Sequence, residues 1–304
     1  MHLTMLRSGS SGNCALLTVG QTHLLIDAGI GPRVLAKELA VRGLAVKDLS
    51  GVIFTHCHSD HLRGNTVSLF AREGVPLYLN EQTWEIARER SGNAALDKVP
   101  HQLVKIVDVD RPFAIQDFEV DCFRVTHGHP GPKNAAGDPM GFLMTDGNDT
   151  FGYCTDIGHV TPEIISYMKR ADLLVFESNH DVEMARFSPR PYPVKQWIMS
   201  DAGHLSNVQA AQALAEAFHD REGAGVILAH LSEMCNTVGL AKHTAIEAIA
   251  GKADLRLGIA NRLHATPTWT LEHRVARPAD HDVWTTASIP GAGSTAHFQQ
   301  LSLF

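Results

Sequence analysis

The chain has 304 residues, 44% of them hydrophobic and 19% charged, with a formal net charge of −7. A chain of that length buries about 75% of its unfolded surface, so one large or two small globular domains are expected without disulfide staples. The acidic balance excludes a broadly basic nucleic-acid coat but not a local basic patch.

The first elements read as short strands at Leu3 to Leu6, Ala15 to Val19 and His23 to Ile26, with the loop Ser8-Gly9-Ser10-Ser11-Gly12-Asn13 between the first two. Such a small-residue loop reads either as a hairpin turn or as a nest of amides for an anion, with Ser10, Ser11 and Asn13 as candidate substrate contacts. Asp27 closes the third strand; it suits a partner for a metal-bound histidine or a cap for the helix expected over Pro32 to Val41. Gly51 to Phe54 is a buried-strand pattern and Leu62 to Arg72 a helix-like one. Further helices are expected at Gln82 to Arg90, Val208 to His219 and Val238 to Ile249. Further strands are expected at Pro76 to Leu79, Leu103 to Val107, Phe118 to Val125, Gly141 to Thr145, Phe151 to Cys154, Ala171 to Phe176 and Gly225 to Ala229.

The stretch Thr55-His56-Cys57-His58-Ser59-Asp60-His61 holds three imidazoles and a carboxylate on a loop behind a strand. Imidazole nitrogen suits Zn or Mn, and carboxylate suits harder ions. Later strands also end in ligand types, at His127, Asp156 and His230, where sites of mixed α/β sheets gather. The expectation is one metal on His56, His58 and His127, a second on Asp60, His61 and His230, and Asp156 bridging them. His129 is an alternative to His127. The five cysteines (Cys14, Cys57, Cys122, Cys154 and Cys235) are scattered without a CxxC pair and read as reduced thiols. No apolar run has signal-peptide or membrane-spanning length, so a cytoplasmic protein without a membrane partner is expected.

These motifs resemble the metallo-β-lactamase superfamily, through His56-Cys57-His58-Ser59-Asp60-His61 with His127, Asp156 and His230. Within it they resemble the YycJ/WalJ-like group, through Ser8 to Asn13, Leu25-Ile26-Asp27-Ala28-Gly29, Glu177-Ser178-Asn179-His180-Asp181, Gly203-His204-Leu205-Ser206-Asn207 and His230-Leu231-Ser232 with Asn236. The resemblance covers roughly residues 1 to 262. It implies an α/β fold, an αββα four-layer sandwich of two mixed sheets with a dinuclear site at one edge. It also implies a metal-dependent 5′→3′ exonuclease acting on DNA. Thr126-His127-Gly128-His129 departs from the histidine-aspartate usual in the group, and about 40 residues of tail lie beyond the shared region.

Two ions (Zn or Mn) about 3.5–4 Å apart would hold a bridging hydroxide and clamp a phosphodiester. Asp60 would orient the nucleophile, and His180 and His204 are the candidates to donate a proton or grip a phosphate. Ser206 and Asn207 are candidate substrate contacts, or else cap the following helix. Arg186, Arg190 and Lys195 lie in a basic, proline-rich, aromatic segment read as a loop that tracks a phosphate backbone and stacks a base. Thr268 to Leu271 is expected as one edge strand.

The expected organisation is a catalytic domain over 1–265, an extension and flexible linker over 266–299, and a tail, Gln300-Leu301-Ser302-Leu303-Phe304. The tail resembles the pentapeptide by which bacterial DNA enzymes dock on the DNA polymerase III β sliding clamp: one amide and three apolar anchors on a tether. The leading expectation is therefore a clamp-recruited exonuclease of replication-associated repair. The alternatives are a small-molecule phosphodiesterase of the same fold and a non-catalytic clamp-binding module.

Overall fold

The computed structural model describes residues 1–91, 96–128, 135–251, 253–279 and the strand at 284–285. In chain order the elements are β1 (His2–Arg7), β2 (Cys14–Val19), β3 (Thr22–Ile26), α1 (Pro32–Val41), β4 (Gly51–Ile53), α2 (Gly64–Glu73), β5 (Leu77–Leu79), α3 (Glu81–Ser91), β6 (Val104–Ile106), β7 (Phe113–Ile115), β8 (Phe118–Arg124), β9 (Met140–Thr145) and β10 (Thr150–Cys154). There follow α4 (Pro162–Met168), β11 (Leu173–Glu177), α5 (Val182–Phe187), α6 (Tyr192–Ile198), α7 (Asn207–Ala217), β12 (Glu222–Ala229), α8 (Val238–Ile249), β13 (Asp254–Ile259), β14 (Trp269–Glu272), β15 (Val275–Pro278) and β16 (Trp284–Thr285).

The strands form two sheets, ordered β15-β14-β1-β2-β3-β4-β5-β6 and β16-β13-β12-β11-β10-β9-β8-β7. Both are mixed: β3 to β6 run parallel, as do β10 to β13, while the remaining pairs are antiparallel. The residue pattern explains the layering. In β11, Leu173 and Val175 enter the core between the sheets, while Leu174 and Phe176 enter the core under α4, α7 and α8. In β3, Leu24 and Ile26 face the inner core and Leu25 the core under α1 and α2. A strand covered on both faces must be apolar at every position, so these runs are continuous rather than alternating. The αββα sandwich expected from the resemblance is the fold found.

Parallel strands end on the same edge, so β3, β4, β10, β11 and β12 deliver the residues that follow them to one rim; β8, antiparallel to β9, points the same way. Three non-glycine residues there take the left-handed conformation: Asp27 (φ 58°), Asp156 (φ 58°) and His230 (φ 56°). Such backbone is uncommon for these residues, and its concentration at one rim marks a functional edge.

Two expectations are corrected. Thr268 to Leu271 is not an edge: β14 lies between β1 and β15, because Trp269, only 2% exposed, fills the core between the sheets. The first sheet therefore runs past the domain limit expected at 265. The segment 186–195 is not a loop either: α5 ends within it and α6 begins within it, with Pro193 in the first turn of α6, where the missing N–H is no loss.

Candidate metal centre

The histidines converge as two sets. His58 Nδ1 lies 2.9 Å from His56 Nε2 and 3.2 Å from His127 Nε2. Three nitrogens bound to one tetrahedral zinc at about 2.0–2.1 Å would be about 3.3 Å apart, so these lie where a shared ion needs them. On the other side, Asp60 Oδ2 lies 3.6 Å from both His61 Nε2 and His230 Nε2. Asp156 stands between the sets, with Oδ1 3.6 Å from His127 Nε2 and Oδ2 3.2 Å from His61 Nε2.

Four of the rings are aimed by a bond at the other nitrogen. His127 Nδ1 donates to the Gly203 carbonyl (2.8 Å), His61 Nδ1 to Asp27 Oδ2 (2.7 Å) and His230 Nδ1 to Glu177 Oε1 (2.9 Å). His56 Nδ1 is 2.9 Å from Thr55 Oγ1, whose hydroxyl donates to the Asp27 carboxylate at 3.0 Å. Asp27 thus orients a histidine of each set. It does not cap α1, whose N-cap is Gly31 without a side-chain bond. Partners of this kind fix ring orientation and raise ligand basicity.

The donor set fits divalent ions. Asp156 Oδ2 and His230 Nε2 are buried without a hydrogen-bond partner, an expensive state that an ion between them relieves. Burial lowers the His127 pKa to about 3, so this ring is neutral and ready to ligate at neutral pH. Burial raises the Asp156 carboxyl, but His230 and His61 outweigh it and hold the pKa well below the usual carboxylate range.

The remaining expected residues divide. His204 is at the site: its Nδ1 lies 3.0 Å from Glu177 Oε1, and its ring centroid 4.9 Å from that of His127. His180 is buried in the loop that follows β11, with its Nδ1 unpartnered and its pKa lowered by burial to about 4. Asn13 reaches the site, with Nδ2 2.9 Å from His61 Nε2. Ser10 and Ser11 are exposed on the same loop, whose Gly9, Gly12 and Asn13 amides already bond within the protein. Ser206 and Asn207 are corrected. Ser206 caps α7 by accepting from Gln209 N, and Asn207 is buried in a network with Ser178 and Asn236, so neither offers a free group to substrate. Arg186 pairs with Glu183 at 3.0 Å, and Lys195 Nζ donates to the Arg186 carbonyl at 2.7 Å. Arg190 makes no ion pair among the described residues. His129 and Gln300 to Phe304 lie outside the described residues.

Glu177 is the residue that sequence reasoning left out of the site. Fully buried, it binds His230 and His204 through Oε1 and accepts from the Leu205 and Ile157 amides through Oε2. Its signal was available: it closes a buried strand as Asp27 closes β3. Trp197, on α6, was also missed, and its ring centroid lies 5.9 Å from that of His127.

An αββα sandwich with histidines and aspartates gathered at one rim defines a metal-dependent hydrolase of metallo-β-lactamase type. The chain belongs to the β-lactamase superfamily, whose domain model, the Beta-lactamase superfamily domain, matches residues 22–231, and within it to the YycJ/WalJ-like group. It is 34% identical over 266 residues to exodeoxyribonuclease YycJ of Bacillus anthracis, covering 88% of this chain and 95% of that one. It is also 34% identical to exodeoxyribonuclease WalJ of Streptococcus pneumoniae over 264 residues, covering 86% and 93%. The fold is shared with the metallo-β-lactamase fold protein YhfI from Bacillus subtilis (TM-score 0.61, 19% identity, 87% of this chain and 98% of that one). It is shared too with Zn(2+)-bound PqqB from Methylobacterium extorquens (TM-score 0.62, 17% identity, 87% and 99%). Among the described residues no helix is long and apolar enough to cross a membrane.

Proposed function

We propose that the protein is a metal-dependent exodeoxyribonuclease that hydrolyses DNA phosphodiester bonds in the 5′→3′ direction with two divalent ions, Zn or Mn. The observation that carries this reading is the pair of ligand sets meeting on Asp156, with Asp156 Oδ2 and His230 Nε2 buried and unpartnered between them. The names of the YycJ and WalJ relatives support DNA as the substrate. His56, His58 and His127 would hold one ion, Asp60, His61 and His230 the other, and Asp156 both. When bound, such a pair lowers the pKa of water and neutralises phosphate charge. Asp60, beside both His61 and His230, would orient the attacking water. His204, held by Glu177, stands ready to pass a proton to the leaving oxygen, with His180 in the neighbouring loop after β11, bonded through its backbone to Leu205 and Asn207. The exposed Ser10 and Ser11 support the reading of the first loop as a phosphate contact, while Asn13 Nδ2 lies 2.9 Å from His61 Nε2. Residues Gln300 to Phe304 would dock the enzyme on the DNA polymerase III β sliding clamp during replication-associated repair.

The test is one assay. Purified protein with Mn or Zn is offered 5′-phosphorylated duplex DNA, single-stranded DNA and a generic phosphodiester, with Asp60→Ala and His61→Ala as controls. Mononucleotides released from the 5′ end are expected, and both substitutions abolish them. Hydrolysis of the small ester alone would favour a small-molecule phosphodiesterase, and no hydrolysis at all a non-catalytic binding protein. Binding of a labelled peptide of the last ten residues to the sliding clamp, by fluorescence anisotropy, tests the tail separately.

A further inference from the structure

Phe187 and Tyr192 are 82% and 70% exposed, the only Phe, Tyr or Trp rings left largely in water among the described residues. They flank one short turn, Ser188-Pro189-Arg190-Pro191, between α5 and α6. The turn is stiff. Two prolines fix its backbone, Ser188 Oγ donates to the Ala185 carbonyl at 2.9 Å, and Lys195 Nζ ties α6 back to the end of α5. Tyr192 is steadied along α6 by Gln196 Nε2, which donates to its hydroxyl at 3.1 Å. Ordering two such rings in solvent brings no folding benefit, so their exposure needs another partner.

The same short helix leads into the metal centre. Trp197 lies five residues after Tyr192, with its ring centroid 5.4 Å from His204 and 5.9 Å from His127. Arg190, in the turn, makes no ion pair among the described residues, and so leaves a guanidinium for a phosphate.

We propose that Phe187 and Tyr192 stack the bases of a single strand of DNA whose backbone Arg190 holds as the strand approaches the metal centre. This deepens the exonuclease reading and rests on it for the identity of the substrate. An aromatic face accepts any base, so the device gives sequence-tolerant grip, which an exonuclease advancing along DNA needs. A single strand offers both faces of each base to such rings, whereas inside a duplex the neighbouring pairs cover them.

The test is a cycle of protein and substrate changes, read by fluorescence anisotropy on labelled single-stranded DNA and by KM and kcat with Mn. Phe187→Ala and Tyr192→Ala alter exposed side chains; an unchanged melting temperature checks the fold, and Tyr192→Phe keeps the ring. Each alanine is expected to weaken binding about 5- to 150-fold and to raise KM with little change in kcat, while Tyr192→Phe behaves as the native protein. On an oligonucleotide with abasic sites at the first three positions, native and alanine proteins should bind alike, because no base remains to stack. Equal binding of intact DNA by native and alanine proteins would overturn the proposal, as would native protein binding abasic and intact strands equally. Ring-dependent binding without hydrolysis would sustain the stacking site and sink the exonuclease reading. Hydrolysis indifferent to both rings would do the reverse.

Discussion

Asp27 Oδ2 accepts from His61 Nδ1 at 2.7 Å, with both side chains fully buried. The same carboxylate accepts the Thr55 hydroxyl that contacts His56, so a single aspartate orients one ring of each proposed ligand set. Asp27→Asn keeps the shape and tolerates the left-handed backbone, but removes the charge that holds the His61 ring and, through Thr55, the His56 ring in place. Affinity for both ions should fall about 10- to 100-fold. Competition with a chromophoric chelator measures it. A loss confined to one ion would break the link through Thr55.

Glu177 binds His204 and His230 through one oxygen, so His204 occupies the site without belonging to either ligand set. If it passes the proton to the leaving oxygen, His204→Ala should lower kcat on DNA about 10²- to 10⁴-fold, with two ions still bound. Elemental analysis beside single-turnover kinetics separates the outcomes. Loss of an ion together with activity would make His204 a ligand instead.

Much of this site was legible because it is written at strand ends. A buried strand must end where its apolar run ends, so a His or Asp at that point is placed by the sheet itself. His56, His127, Asp156 and His230 were found on that basis, and the structure brings them together. Glu177 obeys the same rule but was passed over, because a lone glutamate has no spacing partner to announce it. Its role lies in bonds to His204 and His230, which are 27 and 53 residues away. Likewise α5 and α6, of 6 and 7 residues, are too short for a hydrophobic period, and three prolines disguised them as a loop. Ser206 and Asn207 carried groups equally suited to a phosphate or to a helix end, and only burial decided between them.

The buried titratable groups make the metal-free protein sensitive to acid. Burial lowers the pKa of His127 to about 3 and of His180 to about 4, against an ordinary 6.5. Both sit below the unfolded value, so their contribution is complete above pH 6.5 and is lost as the pH falls through the folded values. Burial raises the Glu177 carboxyl, but His204 and His230 outweigh it and bring it to about 2, which gives the same sign below pH 4.5. Burial lowers His230, but Asp156, Asp60 and Glu177 raise it to about 10; its contribution is complete below pH 6.5 and is lost as the pH rises towards 10. The melting temperature of chelator-treated protein should therefore peak near neutrality and fall on both sides. A plateau down to pH 4 would contradict the burial of His127.

The thiols should be silent in the folded protein. Burial raises Cys57 to about 11 and Cys122 to about 12, and raises Cys14 and Cys154 well above the ordinary thiol value. The thiolate is the reactive form, so at pH 8 an aromatic disulfide reagent should titrate these four only after denaturation. Rapid labelling of Cys57 in native protein would place the ligand loop in a more open state.

Trp269 ties the last strands into the sandwich. It rises from β14 in the first sheet and lies against two glycines of the second. A Cβ on Gly258 would stand 2.6 Å from its Cζ2, and one on Gly225 2.8 Å from its Cζ3. The ring therefore occupies space that two glycines on neighbouring strands leave open, and its removal empties the inter-sheet core. Trp269→Ala should cost about 3–5 kcal/mol. Gly258→Ala should also destabilise, by forcing the same ring off its seat. Truncation after residue 265 removes β14 and β15 from the first sheet and β16 from the second, leaving β1 and β13 as edges, so that shortened chain should unfold at lower urea or aggregate. Truncation after 299 removes only Gln300 to Phe304 and should leave urea stability and hydrolysis of free DNA unchanged, while clamp binding is lost. Urea titrations of the two truncations, followed by tryptophan fluorescence, distinguish the cases. Native-like stability in the chain ending at 265 would make the last strands an ornament of the sheet rather than part of its core.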